Sequence, residues 1–205
     1  MIQDFQYSSS INYYVKHMLG IDDGAFPSFV KIKKKTFKTL LVGVLLTNMK
    51  LEWIGSELIT VDGNEATDII IKIVKKSPIK PNVIFLSGIS FAGFNIADPF
   101  KINSDLNIPI IIIVEKKPSM PSIKDALMKH FPDWENRWKI IERTQPLVEI
   151  KQTEKSKPIY CYFLGLDNRL TIEIIKNTSL GGKIPEPIRL ANMIATTVTK
   201  ELLKI

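Results

Sequence analysis

Cysteine and histidine are scarce in this chain of 205 residues, which contains one Cys and two His. Cys161 has no second cysteine to pair with, so a disulfide framework is excluded, and these residues together are too few for a Cys- or His-based zinc site. Glycine is also infrequent, at 10 residues, and no repeat or low-complexity stretch is present. A fibrous or intrinsically disordered chain is therefore not expected. Cys161 lies in an apolar run, which indicates core packing.

Long hydrophobic segments are absent as well. The longest apolar runs, at 40–46 and 108–114, are far shorter than the roughly 20 residues of a membrane-spanning helix, so both predict buried strands. The N-terminal MIQDFQYSSS lacks the basic stretch, apolar segment and small-residue cleavage site of an export signal. We therefore expect a cytoplasmic protein without a membrane partner.

Acidic residues are outnumbered by basic ones, with 21 Asp and Glu against 28 Lys and Arg, a net charge of +7. Such a charge is suited to nucleic acid, to an anionic membrane surface, or to solubility alone. Two basic clusters stand out along the chain: Lys31, Lys33, Lys34, Lys35 and Lys38, and then Lys72, Lys75, Lys76 and Lys80. No aromatic residues alternate with either cluster, so each is either a solvated face or a contact for the phosphate backbone.

Hydrophobic periodicity predicts a chain of alternating strands and helices. Strands are predicted at 18–22, 37–47, 51–61, 83–86, 110–114, 147–151 and 159–166. Helices are predicted from Ala66 onward, at 98–106, around Leu127, and at 134–143, 169–176 and 186–203. The polar break at 47–50 indicates a hairpin, Asn64 is a plausible N-cap, and residues 122–125 resemble a capping box.

This order predicts the fold class. Three early strands with hairpin-like breaks, followed by helix, strand, helix and strand, describe an α/β sheet that is antiparallel on one side and parallel on the other. A ribonuclease H-like mixed sheet flanked by helices fits this order. With no linker in the sequence, we expect a single domain over residues 1–205.

Acidic residues follow several of the predicted strands. Asp22 ends the first strand, Asp62 follows the third, and Asp98 lies beyond the fourth. If these carboxylates converge, they repel one another unless a cation such as Mg²⁺ or Mn²⁺ is shared. Because side chains alternate along a strand, either Asp22 or its neighbour Asp23 faces Asp62, and we favour Asp22. An Asp close to Gly is also a common turn residue, so the metal site and the structural turn remain two interpretations.

Other catalytic motifs are weakly represented. The loop at 88–93 lacks the Lys-Ser/Thr of a P-loop, and no GxGxxG opens a helix. No serine lies in a GxSxG elbow. These absences leave the acidic residues as the principal candidates for chemistry.

Four motifs together resemble one known family. They are GIDDGAF at 20–26, VDGNEAT at 61–67, LSGISFAGFNIADPF at 86–100 and PEPIRLANMIA at 185–195. The set is similar to the DUF99 or UPF0215 family, also called endonuclease dU, a distant relative of endonuclease V. The resemblance implies a ribonuclease H-like fold and Mg²⁺- or Mn²⁺-dependent hydrolysis of phosphodiester bonds in DNA or RNA carrying a deaminated base. Asp22 matches the first-strand Asp of endonuclease V, and Asp62 falls near its Glu.

Two positions depart from the pattern of endonuclease V. Ser87 stands where an Asp is expected, and Asn192 stands where an acid or His is often found. Asp98 would then supply the missing charge, as a third metal ligand or a base. Each neutral replacement lowers the charge available to hold cations, so a one-metal enzyme or a non-catalytic binding protein is an alternative.

The expected contacts with nucleic acid come from three places in the sequence. Lys33, Lys34 and Lys35 would grip the backbone, and Arg189 would contact phosphate unless it forms an ion pair. Phe94 and Asn95 lie either in a loop that opens for a ligand or in a tight structural turn. The leading hypothesis is a metal-dependent endonuclease; the alternatives are a nucleic-acid or nucleotide-binding module and an oligomer scaffold.

Overall fold

The structure is a computed structural model that describes residues 11–27, 37–151 and 156–204. The strands are β1 His17–Asp23, β2 Lys38–Thr47, β3 Lys50–Thr60, β4 Val83–Leu86, β5 Ser90–Phe91, β6 Asn95–Ile96, β7 Ile110–Val114, β8 Val148–Ile150 and β9 Ile159–Leu164. The helices that follow β1 are α1 Ala66–Lys76, α2 Pro99–Leu106, α3 Met120–His130, α4 Trp134–Arg143, α5 Asn168–Thr178 and α6 Glu186–Leu203. Residues 11–16, directly before β1, are also helical.

The main sheet has seven strands in the order β3-β2-β1-β4-β7-β9-β8. Strands β3, β2 and β1 are antiparallel, β1, β4 and β7 are parallel, and β9 and β8 are again antiparallel. This confirms the predicted mixed sheet. Strands β5 and β6 form a separate two-stranded hairpin in the segment that the sequence predicted as a loop.

The hairpin between β2 and β3 is confirmed at the predicted break. Asn48 and Met49 both have positive φ values, of 49° and 64°. Two consecutive left-handed residues form the tight turn whose twist matches that of the flanking strands. The turn pairs Thr47 with Lys50, and the register shifts by one residue between Leu45 and Leu46, so the rest of the two strands pairs across an irregularity.

Each face of the sheet packs against its own helices. Leu19 and Ile21 of β1 belong to the core under α1, whereas Met18 belongs to the core under α6. All four residues of β4 are buried, as an unbroken apolar strand predicts. Helix α6 comes so close to β1 that a Cβ on Gly20 would lie 2.3 Å from the carbonyl carbon of Pro187. Only glycine allows this approach, which brings the start of α6 to the sheet.

The helix predicted from Ala66 begins at that residue, but both predicted helix caps are wrong. Helix α1 is not capped by Asn64; its first residue, Ala66, donates its N–H to Oδ1 of Asn95, which lies 29 residues later. Helix α3 begins at Met120 rather than at the predicted capping box, with Pro121 in its first turn, where a missing N–H costs little. No helix in the described part of the chain has the length and apolarity needed to cross a bilayer.

Candidate functional site

Asp22 and Asp23, at the end of β1, face opposite sides of the sheet. Asp22 pairs in register with Val42, which belongs to the core under α6, and Asp23 pairs with Leu41, which belongs to the core under α1. The two neighbouring carboxylates therefore lie in different environments, Asp22 on the α6 side of the sheet and Asp23 on the α1 side.

Asp22 is 7% exposed and lies on the wall of a pocket of about 340 Å³. Its Oδ1 accepts hydrogen bonds from the Ser87 hydroxyl and from the Asp23 N–H. Burial raises the pKa of Asp22 above its usual range, while hydrogen bonds from Ser87, the Asp23 N–H and Asn192 act in the opposite direction. A carboxylate in this setting is stabilised in its charged form by a nearby cation.

The donor set of the pocket is suited to a hard cation. Asp22, Ser87, Glu115 and Asn192 all line it with oxygen-bearing side chains. Glu115 also forms an ion pair with Lys183, at 2.8 Å. Mg²⁺ commonly binds through one or two carboxylates and keeps several waters or substrate oxygens, so these residues fit one such ion. No group of three or more His, Cys, Asp or Glu positioned to hold a metal is formed by the described residues.

A second cavity, of about 380 Å³, shares Ser87 with the pocket around Asp22. It lies beyond the carboxyl ends of β4 and β7, where ligands commonly bind in open α/β sheets. Its lining is mostly apolar and includes Phe94, Ile112 and Met120, with Gln145 among the polar groups. The pocket around Asp22 and the apolar cavity therefore meet at Ser87.

On the other face, Asp23 lies in a closed environment. Its Oδ2 accepts the N–H of Ala92 at 2.7 Å. Burial is the main cause that raises the pKa of Asp23 to about 7, and the charge of Asp22 adds to the shift.

Asp62 lies on the side of Asp23, so the expectation that Asp22 faces Asp62 is wrong. Asp62 has a φ of 60°, its N–H donates to the Ala92 carbonyl, and its Oδ1 accepts the N–H of Phe94. Gly93 has a φ of 87°, and a Cβ there would lie 2.3 Å from Oδ1 of Asp62. Asp62 is thus the turn residue of the second interpretation, and it holds the loop before β6.

Asp98 does not join Asp22 either. It is the N-cap of α2, and its Oδ1 accepts the N–H groups of Phe100 and Lys101 at 2.9 and 3.2 Å. The predicted cluster of Asp22, Asp62 and Asp98 is therefore not formed, because the last two are used to fix local backbone.

Phe94 and Asn95 belong to the tight β5–β6 hairpin, with Phe94 in its turn and Asn95 in β6. Asn95 is fully buried and joins the start of α1 to β3, since its amide N–H also donates to the Thr60 carbonyl at 3.0 Å. It is not accessible for the predicted contact with nucleic acid. Phe94 packs edge-on against Phe131, at 5.4 Å between ring centroids, and lines the apolar cavity.

Arg137 was missed in the sequence. It is 8% exposed, forms an ion pair with Asp133, and donates to the carbonyls of Gly63 and Phe94. It thereby ties α4 to the turn of Asp62 and to the loop before β6. An arginine on an amphipathic helix carries no signal of this role, since its partners are distant carbonyls.

The other residues predicted to contact nucleic acid are three lysines and Arg189. Lys33, Lys34 and Lys35 lie outside the described residues. Arg189 lines the pocket around Asp22 and forms an ion pair with Glu186, one turn earlier on α6. Its side chain is 41% exposed, so it lies where a ligand in the pocket can be reached.

The sequence has clear relatives. The profile of a family described as endonuclease dU matches residues 15–199. A UPF0215 protein of Thermococcus kodakarensis is 42% identical over 184 residues, which is 88% of this chain and 91% of the relative. A UPF0215 protein of Pyrococcus furiosus is 34% identical over 187 residues, 89% of this chain and 92% of the relative.

Solved structures support the fold. A protein of unknown function from Archaeoglobus fulgidus superposes with a TM-score of 0.76 at 28% identity, covering 89% of this chain and 97% of that one. Endonuclease V of Bacillus subtilis gives a TM-score of 0.63 at 12% identity, covering 100% and 94%. Ciona intestinalis endonuclease V, solved with DNA containing an inosine, gives 0.56 at 16% identity and covers 98% of both chains. The predicted endonuclease V-like, ribonuclease H-like fold is confirmed.

Proposed function

We propose, from the fact that this chain belongs to the endonuclease dU family, that it is a metal-dependent endonuclease acting on nucleic acid with deaminated or damaged bases. The observation that carries the proposal is the buried carboxylate of Asp22 in an oxygen-lined pocket beside an apolar cavity. An enzyme of this kind would serve repair of DNA or RNA.

The residues of the pocket have distinct proposed roles. Asp22 would hold one Mg²⁺ or Mn²⁺, with Ser87, Asn192 or Glu115 as further oxygen donors. When bound, such an ion polarises a phosphoryl oxygen and lowers the pKa of its water. Arg189 would contact a phosphate oxygen through its planar fork of N–H donors.

The apolar cavity supports a substrate with an altered base. A base that leaves the helix needs an apolar pocket that replaces stacking, and deaminated bases leave more readily because their pairing is weakened. The cavity shares Ser87 with the Asp22 pocket, so a base in it would hold the adjoining backbone near Asp22.

A non-catalytic nucleic-acid-binding module is the second candidate. It is favoured by the neutral side chains of Ser87 and Asn192 in the pocket, which leave fewer charges to hold a cation. Such a module would bind the same nucleic acids without hydrolysing them.

A cleavage assay separates the two candidates. End-labelled single- and double-stranded DNA and RNA with one uracil, one hypoxanthine or no altered base would be incubated with Mg²⁺, Mn²⁺ or EDTA. The nuclease predicts a discrete product that forms only with an altered base and a cation, and that Asp22→Asn does not produce. Binding that weakens with salt, without any product, would identify the binding module. Absence of both binding and product would refute the two candidates together.

A further inference from the structure

One polar atom lacks a partner in the interior that the structure describes. Oδ1 of Asn82 is buried and accepts no hydrogen bond. Buried acceptors are nearly always paired, because an unpaired one loses its bonds to water without replacement. Asn82 precedes β4, and its N–H donates to the His17 carbonyl at 2.7 Å, which fixes its backbone.

Asn82 lines a cavity of about 370 Å³ at the amino end of the parallel strands. Ser87 lies five residues further along the extended β4 segment, so this cavity is roughly 16 Å from the pocket around Asp22. A volume of this size is within the range of pockets for small molecules. The cavity is therefore separate from the candidate active site.

The other walls of the cavity carry two tyrosines and one lysine. Tyr13 is 58% exposed and meets Tyr14 edge-on, with 5.1 Å between ring centroids. Lys80 is exposed, and Asn107 adds a second amide. None of the described residues that line the cavity is acidic, so its local charge is positive.

We infer that this cavity is a second site, which takes an amino-bearing nucleobase together with its phosphate. An exposed tyrosine ring is a surface for base stacking. Oδ1 of Asn82 is enclosed in this structure, and a rotation of the side chain would turn it into the cavity to accept the exocyclic amino group of adenine, the pairing that asparagine makes with this base. Lys80 supplies the charge for the phosphate. The site requires no property of the Asp22 pocket, so it stands apart from the proposed nuclease activity.

The same chemistry can come from a free nucleotide or from a strand. Titration calorimetry in EDTA would compare AMP with IMP, which lacks the amino group, with adenosine, which lacks the phosphate, and with inorganic phosphate. Oligo(dA) and oligo(dT) of eight residues would test the strand. Binding of AMP and oligo(dA) with equal affinity identifies a mononucleotide site, and much tighter binding of oligo(dA) identifies a strand site.

Three variants locate the binding. Tyr13→Ala and Lys80→Ala are each expected to weaken the preferred adenine ligand about tenfold, and IMP should bind the wild type about tenfold less tightly than AMP. Asn82→Leu should lose the preference for adenine while unfolding at the wild-type temperature or above, since it removes the unpaired acceptor. Lys129→Ala, an exposed lysine on α3 that does not line the cavity, should bind like the wild type. Absence of adenine-ligand binding, or equal affinity in wild type and Tyr13→Ala, would overturn the inference.

Discussion

The two faces of the sheet at the end of β1 differ in what they do with adjacent carboxylates. On the α6 face, Asp22 lies in a pocket with Ser87, Asn192 and Arg189. On the α1 face, Asp23 and Asp62 are joined through the backbone of Ala92, and Asn95 and Arg137 close the surrounding loops. On the α6 face the polar side chains surround an open pocket, whereas on the α1 face they form hydrogen bonds that fix the backbone of the loops.

This difference separates residues that are available to bind a cation from residues that stabilise the backbone. A carboxylate whose oxygens already accept backbone N–H groups has fewer lone pairs for a cation. Asp98 is in that situation with two backbone N–H groups, and Asp62 accepts one inside a tight turn. Asp22 also accepts one, but it lies on the wall of an open pocket that a cation can enter. We therefore expect substitutions on the α6 face to change activity and those on the α1 face to change stability.

The largest expected effect is on catalysis. Asp22→Asn should lower kcat/KM for cleavage about a thousandfold, equivalent to about 4 kcal/mol, because the charged cation ligand is lost. Asp62→Asn is the matched control: asparagine tolerates the left-handed backbone and keeps an acceptor for the Phe94 N–H. Its activity should stay within about threefold of wild type. Equal losses in both variants would contradict the distinction between the faces.

The next effect is on stability. Arg137→Met should lower the free energy of unfolding by about 3 kcal/mol, since it leaves the carbonyls of Gly63 and Phe94 without their donor. Urea denaturation measures the loss. Lys139→Met, an exposed lysine on the same helix, should change stability by no more than about 0.5 kcal/mol. If both variants were equally stable, Arg137 would not support the loop.

A smaller effect depends on pH. The pKa of Asp23 is raised from 3.8 to about 7, so the folded state holds this proton more tightly than the unfolded state does. The stabilisation is complete below about pH 4 and is lost as pH rises through 7. Asp23→Asn removes this dependence and should exceed the wild type by about 2 kcal/mol at pH 8, but not at pH 4.

Unfolding would be measured in EDTA over this pH range, with the exposed Asp125→Asn as control. A parallel pH profile for the wild type and Asp23→Asn would show that Asp23 is not the group responsible.

The smallest expected effect tests whether Ser87 lies beside the bound cation. Ser87→Asp places a second carboxylate beside Asp22 and should raise the affinity for Mn²⁺ about tenfold, while lowering stability in EDTA by about 1 kcal/mol through like-charge repulsion. Calorimetric titration with Mn²⁺ measures the affinity. Ser90→Asp, on the same loop but outside the Asp22 pocket, should leave it unchanged. An unaltered Mn²⁺ affinity in Ser87→Asp would place the cation elsewhere.

Much of the fold could be predicted because its signals are local. The β-branched run of β7 and the break at Asn48 depend on neighbouring residues alone, and both are confirmed. The helix start at Ala66 was predicted correctly, but the group that accepts its N–H was not, because Asn95 lies 29 residues further along the chain. The buried position of Arg137 was not predicted for the same reason, because the carbonyls that accept its hydrogen bonds lie in distant loops.

By itself, the sequence determined the order of the seven strands of the main sheet and of the helices between them, the mixed sheet, and the presence of acids at the ends of strands. Periodicity and turn residues are sufficient for these, since they act over a few positions. Only the tertiary structure decided which acids share a pocket. Whether Asp22 or Asp23 meets a given partner depends on which face packs against α6, and that is set by strand register and by the approach of Pro187 to Gly20.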